Sequence, residues 1–191
     1  MVPRGGNPRP VLSGRGMIFI GGDNLHIISV LVNNHPGVLS RVVGLFSRRG
    51  YNIESLAVGT TEKEDISRIT LTVEGDDYTV TQVIRQLNKL VDVLKVQNIG
   101  ARDNVSRELL LVKVGYDSNT RDDIMHIVDT FRAKVIDISM DSLIIEITGD
   151  SEKINAFINL ISKFEVKELV RTGLVALERG NKSLKEYEGE L

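Results

Sequence analysis

One pattern occurs twice in this chain and limits the folds open to it. Ile69-x-Leu71-x-Val73-x-Gly75-Asp76 is matched by Leu143-x-Ile145-x-Ile147-x-Gly149-Asp150. In each copy three apolar residues alternate with their neighbours, as on a strand with one buried face, and a Gly-Asp turn then caps a helix. The spacing from Phe46 to Ile53 also recurs, from Phe131 to Ile138. Periodicity predicts strands at His26–Val32, Asn52–Val58, Ile66–Val73 and Val91–Ile99, with helices at Val38–Arg48 and Val80–Leu90. The second half repeats the order. Its strands are predicted at Glu108–Val114, Lys134–Ser139, Leu143–Thr148 and Val166–Arg171, and its helices at Arg121–Phe131 and Lys153–Phe164.

The order β-α-β-β-α-β gives an antiparallel four-stranded sheet with both helices on one face. The expected class is therefore α+β, with two tandem ferredoxin-like domains joined by the polar linker Gly100–Asn104. About 75 residues make a small core, and the face without helices needs cover. Pairing of two chains is the natural cover, so a homodimer is expected. Residues 1–24 carry Pro3, Pro8, Pro10 and little apolar periodicity, and read as a disordered N-terminal extension or a cloning remnant. Residues 179–191 read as a polar tail.

Composition removes several functions. Lys+Arg is 24 against Asp+Glu 26, and aromatics are 5% with no Trp, which argues against a nucleic-acid surface. With no Cys there are no disulfides, thiolate nucleophiles, zinc-thiolate sites or iron–sulfur clusters. His26, His35 and His126 have no metal-ligand spacing. No phosphate-binding Gly-rich loop, dinucleotide fingerprint or nucleophile elbow occurs. No apolar run reaches the ~20 residues of a membrane span, so a cytoplasmic protein without membrane contact is expected.

What remains is a turn. Asn33, Asn34, His35, Pro36 and Gly37 join the first strand to the first helix. Pro36 fixes its own φ and Gly37 permits close approach to the backbone. The N–H groups of Val38 and Leu39 open the helix, where an anion is favoured. An α-amino acid fits, with its carboxylate on those amides and its ammonium on an Asn carbonyl. A plain helix entry without a ligand fits the same residues. The equivalent turn of the second half, Gly115–Thr120, lacks the Pro-Gly pair.

The turn, with Gly37-Val38-Leu39-Ser40-Arg41-Val42 and then Gly44-Leu45-Phe46-Ser47-Arg48-Arg49-Gly50-Tyr51-Asn52-Ile53-Glu54-Ser55-Leu56, resembles the ACT domain of acetohydroxyacid (acetolactate) synthase small subunits. Leu87–Val93 and Arg107–Val114 resemble later stretches of that family. The resemblance covers roughly residues 25–180. It implies an ACT domain at 25–100, for effector binding and dimerisation, and a C-terminal ferredoxin-like domain at 105–178. It further implies a non-catalytic regulatory subunit that activates a large catalytic subunit and confers feedback inhibition by valine in branched-chain amino acid synthesis. Thiamine diphosphate, magnesium and FAD are expected on that catalytic partner only. The implied effector residues are Asn34, Gly37, Val38 and Leu39 of one chain with Asn52 and Ile53 of a second. No contact is assigned to His35. A free-standing ACT-type amino-acid sensor acting on another enzyme or transcription factor is the alternative.

Overall fold

The computed structural model describes residues 25–100, 102–181 and 184. The expected N-terminal extension lies outside the described residues, as does most of the expected tail. The elements are β1 (Leu25–Asn33), α1 (Val38–Arg49), β2 (Ile53–Thr60), β3 (Ile66–Glu74), α2 (Asp77–Leu87) and β4 (Val93–Asn98), followed by β5 (Asn104–Gly115), α3 (Arg121–Phe131), β6 (Lys134–Ile138), β7 (Ser142–Gly149), α4 (Ser151–Ile161), β8 (Val166–Arg171) and β9 (Val175–Glu178). The first sheet has the order β2-β3-β1-β4, and the second β6-β7-β5-β8 with β9 also paired to β5. Two tandem ferredoxin-like folds result, as the repeat predicts. Contacts divide the chain into two compact units. One holds 21–110, 148–151 and 170–191, and the other 111–147 and 152–169, as far as these residues are described.

In the first unit alternation sends Ile28, Val30 and Val32 of β1 and Ile69, Leu71 and Val73 of β3 to one face. Val42, Leu45 and Phe46 of α1 and Val80, Val83 and Leu87 of α2 pack onto that face as one core. Phe46 is fully buried, and truncating such a side chain costs about 3–5 kcal/mol. Gly50 ends α1 with φ 68°, its N–H reaching the carbonyls of Phe46 and Ser47. That left-handed stop returns the chain at once into β2.

Hydrogen bonds rather than periodicity decide the start of α2. The helix begins three residues before the predicted Val80 because the Asp76 side chain accepts from the Thr79 amide at 2.7 Å. Bonds from the Thr79 hydroxyl and amide hold the Asp76 carboxyl below its ordinary 3.8.

The other face of the first sheet carries a polar layer. Ser29, Thr70, Thr72 and Gln97 are buried there. Thr72 Oγ1 donates to Ser55 Oγ at 2.8 Å, and Arg68 Nη1 to Ser29 Oγ at 3.2 Å. The end of the chain supplies the cover. Leu174 N donates to Ser55 Oγ at 3.4 Å, Gln97 Nε2 donates to Glu178 Oε2 at 2.8 Å, and Leu174 and Ala176 are buried. Gly173, at φ 80°, sets the bend: a Cβ there would meet the Leu56 carbonyl oxygen at 3.4 Å. The reading from sequence left this face to a second chain. The short strand β9 was not foreseen, and it supplies cover from within the same unit.

In the second unit Val112 and Val114, Ile124 and Val128, Leu143, Ile145 and Ile147, and Ile154, Phe157 and Ile161 are buried. Phe131 and Phe157 meet edge to face, with centroids 5.5 Å apart. The unit repeats the plan of the first sheet and helices on its own sequence.

Candidate functional site

The register of β1 places the turn. Asn33 pairs with Ile66 at the end of the β1–β3 ladder. The chain leaves the sheet there, beside the loop that joins β2 to β3. Asn34 is held to that loop twice: its amide N donates to the Asp65 carbonyl at 2.7 Å, and its Nδ2 to the Glu64 carbonyl at 2.8 Å. With Nδ2 engaged, Oδ1 is the atom left to accept from a ligand.

Gly37 precedes α1 with φ 89°, and no side chain caps the helix. An added Cβ would lie 3.9 Å from Arg41 Nη2, an ordinary contact, so the requirement for glycine is conformational rather than spatial. The first turn of α1 contains no acidic residue, whereas α2, α3 and α4 each have at least one. The helix N-terminus therefore keeps its partial positive charge and its amides without a counter-charge from its own turn. Val38 is buried, and its N–H donates a long bond to the His35 carbonyl, with N···O 3.5 Å. Leu39 is exposed at 37%.

Asn52 and Ile53 sit elsewhere in the same chain. Ile53 pairs with Val73, and Val73 with His26. His26 is seven residues up β1 from Asn33, so roughly 23 Å separates the two groups at ~3.3 Å per residue. Asn52 Nδ2 donates to Glu54 Oε1, and the register slips at that point. One chain brings Asn34, Gly37, Val38 and Leu39 together and leaves Asn52 and Ile53 at the far end of its sheet.

Sequence reasoning missed Asp92. It lies in the turn before β4, only 7% exposed, beside Val91 at 93%. The expected strand Val91–Ile99 put these two the other way round. Polar partners reverse them: His35 Nε2 donates to Asp92 Oδ1 at 2.9 Å, and Arg41 Nη1 donates to Oδ2. The Asp92 carbonyl accepts from Asn33 N at 2.9 Å. His35, to which no effector contact was assigned, is thus tied to Asp92 within the chain. An acidic residue between valines, with a cation one helical turn past Gly37, was the available signal. Sequence separations of 57 and 51 residues concealed it.

The described residues hold no cluster of His, Cys, Asp or Glu suited to a metal ion. Among them no helix is long and apolar enough to cross a membrane.

Comparison with known proteins places this geometry. The model of the AHAS small subunit-like ACT domain matches residues 28–95, and that of the small subunit of acetolactate synthase matches 107–180. A probable acetolactate synthase small subunit of Archaeoglobus fulgidus is 55% identical, over 82% of this chain and 98% of its own. The chain belongs to the acetolactate synthase small subunit family. The small subunit of Mycolicibacterium smegmatis is 46% identical over 85% of this chain and 96% of its own. The crystal structure of the acetolactate synthase small subunit from Thermotoga maritima superposes with a TM-score of 0.77 at 45% identity, covering 83% of this chain and 99% of that one. Family membership fits a regulatory rather than a catalytic chain.

Proposed function

We propose that this small subunit activates a large, thiamine-diphosphate-dependent acetolactate synthase subunit and confers feedback inhibition by valine. The observation that carries the reading is the uncapped N-terminus of α1 beside a fixed Asn34. The carboxylate of valine sits at the Leu39 amide and at the Val38 amide, whose long 3.5 Å bond to the His35 carbonyl it replaces, on the positive end of the helix. Its ammonium donates to Asn34 Oδ1. Its isopropyl group needs an apolar wall, and Ile53 of a second copy supplies one.

Sheet order supports that second copy. β2 is an outer strand of the first sheet. If two copies pair antiparallel through β2, the Ile53 end of one lies against the Thr60 end of the other. Thr60 pairs with Ser67, next to the Ile66–Asn33 pair from which the turn leaves. Asn52 and Ile53 of the partner then reach the turn that they cannot reach in their own chain. A ligand shared by two chains links occupancy to their relative orientation, the two-state element an allosteric account requires. Thiamine diphosphate, magnesium and FAD belong to the catalytic partner in this reading.

The test is reconstitution with that catalytic subunit. Acetolactate formation rises when this chain is added and falls as valine is titrated. Valine at 100 times its Kd also stabilises the purified chain by about 2.7 kcal/mol, a rise in Tm of roughly 5–10 °C. Reconstitution without activation, together with no thermal response to any amino acid, refutes the proposal.

A further inference from the structure

Asp92 is a buried carboxylate whose partners all belong to the candidate turn. One side-chain oxygen takes His35 within the turn, the other takes Arg41 on the first turn of α1, and the backbone carbonyl takes the Asn33 amide. A carboxylate leaves water only when such partners are supplied. On the opposite side the Glu64 and Asp65 carbonyls hold Asn34. The turn is thus gripped between the β2–β3 loop and the α2–β4 turn, with Asp92 as the only side-chain carboxylate in the grip.

We propose that Asp92 is a positioning residue for the effector. It does not touch the ligand. It holds Asn33–Gly37 in the conformation that binds, so that the ligand does not have to order the turn. When only a fraction of molecules has the competent turn, apparent affinity falls by that fraction while saturated behaviour is unchanged. Asp92 also draws Arg41, a cation, to one side of a helix end that already favours anions. His35 and Arg41 are themselves about half exposed, so solvent screens their side of these pairs, while the Asp92 side stays buried. The role is local. The inference rests on the turn being the valine site.

The experiment uses the reconstituted holoenzyme, wild type and carrying Asp92→Asn, Arg41→Gln or both, with Asn34→Ala as the site control. The valine concentration for half-maximal inhibition is measured with the Tm of each chain. Asp92→Asn and Arg41→Gln each raise that concentration by about 5–20-fold, with the plateau of inhibition retained. The double variant is no worse than the worse single one, because both act through one grip. If Asp92→Asn does not fold, Arg41→Gln on its exposed side chain still decides the matter. A lowered Tm with unchanged valine response makes the network structural only and overturns the inference. So does a lowered half-inhibition concentration for Arg41→Gln. If Asn34→Ala desensitises the holoenzyme and the Asp92 and Arg41 variants do not, the site stands and the positioning role falls. If wild-type holoenzyme is insensitive to valine, both fall together.

Discussion

The same position in the two repeats is built in opposite ways. In the second half the turn Gly115–Thr120 fills itself. Asp117 Oδ1 accepts from the Asn119 and Thr120 amides, each at 2.9 Å, and from the Thr120 hydroxyl at 2.8 Å. Asp122 and Asp123 then face the positive end of α3. In the first half the helix after Gly37 has no acidic residue in its first turn, and neither α1 nor α3 has a side chain bonded at its N-cap. Both turns connect a strand to a helix over the same kind of sheet, so the fold does not require the open one. The second turn supplies its own anion. The first turn contains no acidic residue of its own.

Making the first turn resemble the second gives the largest expected effect. Gly37→Asp introduces a carboxylate at the helix entry and a side chain at φ 89°, which L residues avoid. Valine inhibition of the reconstituted enzyme should disappear, with at least a 50-fold rise in the half-inhibitory concentration (~2.3 kcal/mol). Retained sensitivity would break the comparison. Asn34→Ala removes one hydrogen bond to a charged group, and about a tenfold rise is expected from titration of the same assay. The reverse change tests the second turn: Asp117→Ala lowers Tm by roughly 2–4 °C through loss of a filled turn, with no change in the valine response. A shifted response there would show that ligand binding is not confined to the first half.

The smallest effect is one of pH. Bonds from the Thr120 hydroxyl, the Thr120 amide and the Asn119 amide hold the Asp117 carboxyl below its ordinary 3.8. A carboxyl depressed on folding adds stability above its unfolded value, and that stability is lost as pH falls through the folded one. Melting of the wild type therefore weakens below about pH 4. Asp117→Asn should flatten that slope slightly, in a series of melting curves from pH 6 to pH 2.5.

Much of this was legible in the sequence. Alternation in Ile69, Leu71 and Val73 and the helical spacing of Val38, Leu39, Val42, Val43 and Phe46 are local, so the strands and helices carrying them were placed within a few residues, although Leu45 is buried and Leu39 is exposed. The open turn was legible too, because Pro36 and Gly37 are informative wherever they fall between a strand and a helix. Three things were not. The start of α2 depends on the Asp76–Thr79 bond, and a cap shifts a boundary that periodicity alone sets at Val80. Asp92 depends on partners in a distant part of the chain. The four residues of β9 have too short a pattern to announce a strand, and its burial exists only because the first sheet offers a polar face to cover.

That short strand links the maturation of the first half to the synthesis of a segment well beyond it in the chain. Residues 25–98 hold every strand and helix of the first fold, and during synthesis they are made first. Their buried layer of Ser29, Thr70 and Thr72 stays wet until Leu174 and Ala176 have left the ribosome, about 75 residues after β4, a delay of roughly 4–15 s at 5–20 residues/s. A fragment ending at Ile99 lacks the residues that cover this layer. The emerging subunit thus carries a built-in order of assembly, in which the fold bearing the Asn33–Gly37 turn is sealed by a strand made only after every other strand and helix of the second fold.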